Sequence, residues 1–584
     1  MQQHTYEISP GKSLVQVLET IQQNKDYQKA SDKLLIVYEP NCDSQFLDKE
    51  RKTINKILPD VKIAAMTTFG PLHEKFIYQK HTRLSLFLFE SSHVTILESD
   101  CLGKTQDAQG ISFGAELKEI PDLKGVLCFS SNASFCPANL IQELLNANPN
   151  VPVFGAQAGT HTIAIDESTI FSKNRIYEKG IILVAFSGKD LEIQTEYCLG
   201  WKPLGKEHVI TKSDSHGFVA TIDDNPPEEL YAKYLNVHFS NHFTENVCAF
   251  PLIAKSSNTL FAKVPIRYSE DGKLSFPAEL KIGTKIYFSY AKPESLLQET
   301  LSAANRIAKF QPHGILLFAC VNRQLFMGGE KAMRELQYFA KNFPSTCTCY
   351  GYGEILQTKT GGGVLSSSIV AVAFREGPMD ISIPIKPIVD RKLFSQKKNT
   401  DLADQLITFL EKTTEDLNHT IDQLADMAEH EPLTGLFNRR KLNEYLEYEL
   451  GKRHKDGDFS VLMYDIDFFK DVNDKFGHNI GDQVLTRISE IVRNSVRACD
   501  IVARWGGEEF VCILPNTKIG GAEILAERLR KKVEKSSFAP LKKLTISLGA
   551  TEVRTDDSFE SLIIRLDKAL YDAKKTGRNR YCIR

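Results

Sequence analysis

Two short acidic stretches near the end of the chain combine residue types that could do chemistry at phosphorus. In Asp465-Ile466-Asp467-Phe468-Phe469-Lys470, two carboxylates follow the apolar run Ser460–Tyr464. If that run is a buried strand, they sit where open sheets place their sites. Such carboxylates suit a hard cation such as Mg²⁺, which takes one or two of them and keeps room for substrate phosphates. A D-x-D alone also describes a solvated strand end. The second stretch is Gly506-Gly507-Glu508-Glu509-Phe510. Its glycines allow a tight hairpin and close approach of a ligand to backbone. Adjacent acids at the tip repel each other unless a cation lies between them. Asp465, Glu508 and Glu509 together could converge on two metals, the arrangement for in-line displacement at phosphorus.

These residues need a scaffold, and the pattern over 429–584 supplies one. Ser460–Tyr464 and Leu544–Ala550 read as strands, and Ile501–Trp505 with Phe510–Leu514 as a hairpin. Asn479–Val496, Gly521–Lys535 and Phe559–Lys574 read as helices, which makes an α+β sheet sandwich. Upstream, Leu402, Leu406, Phe409, Thr413, Leu417, Ile421, Leu424 and Ala428 recur at three- and four-residue steps, with neither Gly nor Pro until Pro432. That is one helix with a single apolar stripe, which either pairs in a coiled coil or lies against its own protein.

Residues 1–392 read as α/β. Strands such as Lys33–Tyr38 alternate with amphipathic helices such as Pro137–Asn146 and Glu330–Asn342. Turn signals separate them at Asp214–Gly217, Asp223–Pro227, Glu270–Gly272 and Thr360–Gly363. The longest apolar runs (Ile181–Phe186, Ile315–Val321, Ile369–Phe374) are far short of the roughly 20 residues that span a bilayer, so they read as buried strands. Met1–Ser13 lacks an apolar signal core. A net charge of −2 over 584 residues points to neither nucleic acid nor an anionic membrane. The twelve cysteines form no C-x-x-C pair, which implies a reduced, cytoplasmic protein. Cys347 and Cys349 leave a weak redox alternative. His238 and His242 lack the adjacent Glu of a zinc protease and read as structural.

The acidic stretches sit among further motifs that together resemble the GGDEF family of diguanylate cyclases. Gly506–Phe510 stands as its signature in the GGEEF form, with Asp465–Lys470, Asn473-Asp474, Gly477-His478 and Gly481-Asp482. Pro432–Arg440 and Tyr571–Asn579 match the flanking motifs. Glu431 departs from the family, which carries Asp there; this implies altered signal coupling with the chemistry spared. The resemblance implies a ferredoxin-like nucleotidyl cyclase domain over 429–584 that binds GTP. Two such domains, in a homodimer, would condense two GTP to cyclic di-GMP and two pyrophosphates.

Carried over to this chain, Asp465, the Ile466 carbonyl, Glu508 and Glu509 would hold Mg²⁺, with Mn²⁺ as the alternative ion. Glu508 and Glu509 would be catalytic, Glu508 activating the 3′-hydroxyl. Asn473 and Asp482 would select guanine, since a carboxylate accepts from its N1 and N2 donors while adenine offers no such pair. Lys470, Lys574, Arg578 and the amides of Phe468 and Phe469 would hold the triphosphate. The side chains of Phe468, Phe469, Phe476 and Trp505 read as packing. Arg497-Ala498-Cys499-Asp500 resembles the family's R-x-x-D inhibitory product site, with Arg528 as a second contact; an arginine fork suits a guanine edge. The alternative to a cyclase is a catalytically silent protein that binds GTP or cyclic di-GMP.

The first part resembles the FIST sensory family through Val153–Gly159, Gly200–Gly205 and Tyr350-Gly351-Tyr352-Gly353-Glu354-Ile355. This implies a two-part α/β sensor, 1–228 and 229–392, for a small molecule such as an amino acid, followed by a helical (coiled-coil) linker, 393–428. Gly351 and Gly353 would bring backbone close to a ligand, and Glu354 would meet its ammonium group; a tight structural turn with a capped Glu is the other reading.

Overall fold

The computed structural model describes every residue except 9–10, 69–80, 101–104, 132–136, 161–166, 215–217, 241, 257–258, 278–279, 360, 381, 383, 392, 394–401, 453–458 and 555. Parts of three sequence expectations lie outside the described residues: the turn at 215–217, Thr360, and 394–401 of the linker. The chain forms two compact units, Met1–Ile407 and Thr408–Arg584.

In the first unit the long apolar runs are strands, and each is apolar throughout because both of its faces are covered. Ile181–Ser187 sends Ile182, Val184 and Phe186 into a central core, and Ile181, Leu183 and Ala185 into a second core under the helices Gln106–Lys118 and Ala138–Ala147. Gly314–Cys320 and Ile369–Glu376 divide in the same way between the central core and the helix Pro293–Phe310. Asp32–Glu39 turns Leu34, Ile36 and Tyr38 inward and Leu35 and Val37 outward. Three sheets thereby share one core. Phe374 knots them, its ring centroid 5.3 Å from Phe87, 5.9 Å from Phe154 and 5.0 Å from Phe186.

The sheets draw on both halves of this unit. One runs in the order 361–365, 353–358, 153–157, 123–130, 181–187, 93–99. In another, Leu191–Cys198 pairs with Ile369–Glu376, followed by Gly314–Cys320 and Cys347–Gly351. Residue 228, where the sequence suggests a division, therefore lies between strands of common sheets. A seven-stranded sheet built from residues 202–290 has its own core. Cys347 and Cys349 share one face of a buried strand as free thiols, and burial pushes Cys347 up to about 12, so both stay protonated. His238 lies 3.5 Å from Glu228, and the described residues contain no His, Cys, Asp or Glu set able to hold a metal. No described helix is long and apolar enough to cross a membrane.

The second unit begins in the helix Leu402–Glu429, where Leu406, Phe409, Leu417 and Leu424 of the apolar stripe are exposed. Its sheet runs 501–506, 509–514, 460–466, 546–552, 581–583, antiparallel except for the last pair. His478–Arg493 and Ile519–Lys535 cover one face; Arg439–Lys452 and Phe559–Lys575 cover the other. The sequence reading omitted Arg439–Lys452, Phe469–Phe476 and Tyr581–Ile583; the first is only weakly amphipathic and the other two are short. The chain as a whole is α/β and α+β multidomain.

Gly549, on the strand Ile546–Glu552, lets the helix Phe559–Lys575 touch the sheet: a Cβ there would stand 2.4 Å from the Leu570 nitrogen and 2.8 Å from the Leu566 carbonyl. Both obstacles are backbone and must move together. Gly549→Ala should therefore destabilise the second unit by about 1–3 kcal/mol. The two tryptophans make this measurable: in a Trp201→Phe background, Trp505 fluorescence in denaturant should show an earlier midpoint for the alanine variant.

Candidate active site

The strand Ser460–Ile466 alternates its side chains between the two cores, Leu462, Tyr464 and Ile466 to one, Val461 and Met463 to the other. By that alternation Asp465 shares the face of Val461 and Met463, under the last turn of Phe559–Lys575. It lies within the strand rather than just past it, because pairing with both neighbours continues to its end: Asp465 opposes Glu509 on one side and Ser547 on the other. Antiparallel register puts Asp465 and Glu509 side by side on one face. Asp467, one step beyond the strand, is committed elsewhere. It accepts from Thr545 Oγ1 at 2.7 Å, Ser547 Oγ at 2.6 Å and the Asn579 amide at 3.0 Å.

Glu508 sits in the two-residue turn between Ile501–Gly506 and Glu509–Leu514. Gly507 takes φ +55°, a conformation glycine adopts without Cβ strain. Arg504 holds the tip: Nε and Nη2 donate to the Gly507 carbonyl at 2.9 and 2.7 Å, and Nη1 to Glu431 at 2.8 Å. The other Glu431 oxygen accepts from the Thr434 amide and hydroxyl at 2.8 and 2.6 Å.

Burial and proximity raise all three acids. Burial pushes Asp465 up and Lys574 opposes it; burial and then the Asp465 charge push Glu508 and Glu509 up. Lys574 Nζ lies 2.6 Å from Asp465 and is the cation that the pocket now holds. Three hard oxygen donors that repel one another fit a divalent ion, although no ready-made cage exists among the described residues.

Around this centre the other predicted residues divide. Arg578 stacks on Phe468, 4.4 Å from the ring centroid, and both take positive φ. Phe468 is 60% exposed, so its side chain is not the packing residue that the sequence suggested; Phe469 is buried. Asn473 and Asp482 stand on consecutive helices at Gly481, where a Cβ would lie 2.0 Å from Asn473 Oδ1. Lys470 and Asp482 are exposed. A cavity of about 430 Å³ opens on Phe468 and Arg578 but is lined further by Asp471, Lys475 and Lys543, and not by Asn473 or Asp482.

Arg497 and Asp500 form a tight turn, the Arg497 amide donating to Asp500 at 2.7 Å and the Asp500 amide to the Arg497 carbonyl at 3.1 Å. Arg497 is exposed, and with Asp500 and Arg493 it lines another cavity of about 430 Å³. Arg528 does not line that cavity; its Nη2 donates to the Ser495 carbonyl at 2.6 Å.

Glu354 in the first unit is 1% exposed and accepts from Ser368 Oγ at 2.7 Å. The glycines beside it bring backbone close to the protein itself: a Cβ on Gly351 or Gly353 would lie 2.5 or 2.6 Å from Gln157 oxygens.

Comparison with known proteins places families on these parts of the chain. Residues 428–580 match the family described as "Diguanylate cyclase, GGDEF domain", residues 33–225 the FIST N domain and residues 228–357 the FIST C domain. Diguanylate cyclase DgcM of Escherichia coli is 41% identical over 160 residues, 27% of this chain and 39% of that protein. Diguanylate cyclase DgcP of Pseudomonas aeruginosa is 44% identical over 168 residues, 28% of this chain and 25% of that protein. The chain thus spans less than half the length of these relatives. Among solved structures, the active GGEEF domain of a diguanylate cyclase from Vibrio cholerae is 35% identical, with a TM-score of 0.24, covering 25% of this chain and 96% of that one.

Burial is the chief cause that pushes Glu354 up to about 8. A raised acid favours the fold below its unfolded value and loses that contribution as pH rises toward the folded one. Relative to wild type, Glu354→Gln should therefore gain stability between pH 5 and 8, by up to about 1.4 kcal/mol per pH unit. Trp201 fluorescence in denaturant, in a Trp505→Phe background, reads the difference between the two pH curves.

Proposed function

We propose that this chain, which carries a GGDEF domain at residues 428–580 behind FIST N and FIST C domains, is a ligand-regulated diguanylate cyclase. The observation that carries the reading is the convergence of Asp465, Glu508 and Glu509 beside Lys574, with each glutamate raised by the Asp465 charge. Asp465, Glu508, Glu509 and the Ile466 carbonyl would hold Mg²⁺ or Mn²⁺, which neutralises phosphate charge. Lys574 would pass from Asp465 to the triphosphate, joined by Lys470, Arg578 and the Phe468 and Phe469 amides. Asn473 and Asp482 would read guanine from the Gly481 corner. Glu508 takes the proton of one 3′-hydroxyl; that oxygen bonds to the α-phosphorus of the GTP in a second copy, and pyrophosphate leaves.

One domain holds half of this reaction, so activity requires a homodimer. The exposed stripe of Leu402–Glu429 supports a coiled-coil pairing that would align two domains. Arg497 and Asp500 form the product-inhibition site, with Arg493 as the second basic group in the cavity and Arg528, bonded to the Ser495 carbonyl, as a further contact outside its lining. The FIST domains sense a small molecule, an amino acid being the family's implied class. In that reading Glu354 acts as a buried acid inside the sheet junction. The chain works in the cytoplasm, independently of nucleic acid or membrane insertion.

Wild-type protein, stripped of bound nucleotide, should convert GTP with Mg²⁺ into cyclic di-GMP. Glu508→Gln should lower the rate about 10²–10⁴-fold, read by chromatography of the products. No product from wild type, even when fused to a dimerising segment, would leave the silent nucleotide-binding reading. In the same assay, progress curves that flatten as product accumulates should straighten in Arg497→Ala.

A further inference from the structure

A cavity of about 270 Å³ in the first unit lies between the strand pair Gln2–Glu7 and Arg83–Phe89 on one side and the helix Gly329–Ala340 with the strand Cys347–Gly351 on the other. Arg83 lines it. Glu7 is directly opposite Arg83 in the strand register, so both project from one face, yet the two form no ion pair. Arg83 has neither a carboxylate partner nor a hydrogen-bond acceptor among the described residues. Its charge is felt inside the cavity, where it opposes the burial that raises the Cys347 thiol. Gln337 lines the cavity with its side-chain amide free of partners among the described residues, and Met333 and Leu336 supply an apolar wall.

We propose that this cavity binds a small monocarboxylate with an apolar body. A guanidinium fork without a partner matches a carboxylate through two parallel hydrogen bonds. Glu7 on the same wall repels a second anionic group, which disfavours phosphate and dicarboxylates. Met333 and Leu336 remove the ligand's hydrocarbon from water. Binding there has a route outward, because the same helix holds Asp390. Arg334 Nε donates to Asp390 at 2.7 Å and the Tyr338 hydroxyl donates to it at 2.6 Å. This regulatory role rests on the sensory reading above.

Calorimetry of the full chain with isovalerate and benzoate, against isovaleramide, benzamide and inorganic phosphate, tests the site. The acids should bind saturably, and the amides and phosphate at least about tenfold more weakly. Arg83→Gln should weaken the acids by a similar factor. Ala340→Trp, at the exposed rim, should block them in a chain whose unliganded melting is unchanged. No binding of either acid, equal binding of acids and amides, or acid binding undiminished in both variants would overturn the proposal. Cyclic di-GMP formation in the same samples separates the two ideas. Acid binding without a change in turnover upholds the cavity and removes the regulatory link; a turnover response that survives both variants overturns the cavity.

Discussion

One guanidinium sets the geometry on which the acidic centre depends. Arg504 spends three donors on two acceptors, the carbonyl of Gly507 and the carboxylate of Glu431. A two-residue turn with a glycine at its tip has little intrinsic rigidity. Fixing its carbonyl from beneath fixes the direction in which Glu508 leaves the backbone. The other anchor is Glu431, two residues beyond the end of Leu402–Glu429 and bound also to Thr434. The longer Glu, where the GGDEF family carries Asp, reaches both partners. A single charged hydrogen-bond chain thus runs from the end of the helix to the tip of the hairpin.

The acidic centre is held away from electrostatic collapse by a cation of its own. Asp465 lies in a covered strand and would be costly to ionise alone; Lys574, from the last turn of a helix on the same face, supplies the charge. The first unit uses the same device without a site attached. Arg323 and Glu335 are a fully buried pair, and Arg323 also donates to the carbonyls of Leu199 and Ser367 at 2.8 and 3.1 Å. Every donor direction there has an acceptor, the condition under which a buried pair is tolerated. Among the described residues Arg83 lacks such company.

Much of this was legible in the residues. Fully apolar strands announced themselves because both faces are buried, and Asp32–Glu39 and Ala138–Ala147 differ from the sequence reading by one residue at each end, where boundaries are least fixed. The acidic residues were visible as clustered like charges without an evident function in folding. What stayed hidden depended on tertiary partners. Asp467 looked like the twin of Asp465, but its oxygens are taken by Thr545, Ser547 and Asn579, the first two about eighty residues away at the start of the strand Ile546–Glu552. Gly351 and Gly353 left a ligand approach and a tight structural turn both open, because a sequence does not reveal that Gln157 oxygens stand beside them. Arg504 and Arg83 gave no signal, since neither stands in a motif whose spacing implies its partner.

The interleaved sheets of the first unit have a consequence for the chain as it is made. The strand Val153–Gln157 finds its outer neighbour only in Gly353–Thr358, about 200 residues later. At translation rates of roughly 5–20 residues per second, that edge waits on the order of 10–40 s with its amides and carbonyls unpaired. During that interval the nascent polypeptide presents a template for any passing strand. Synthesis of this unit therefore leans on whatever shields the ribosome's exit, and gene fission near residue 228 would yield two fragments, each lacking strands needed to close its sheets.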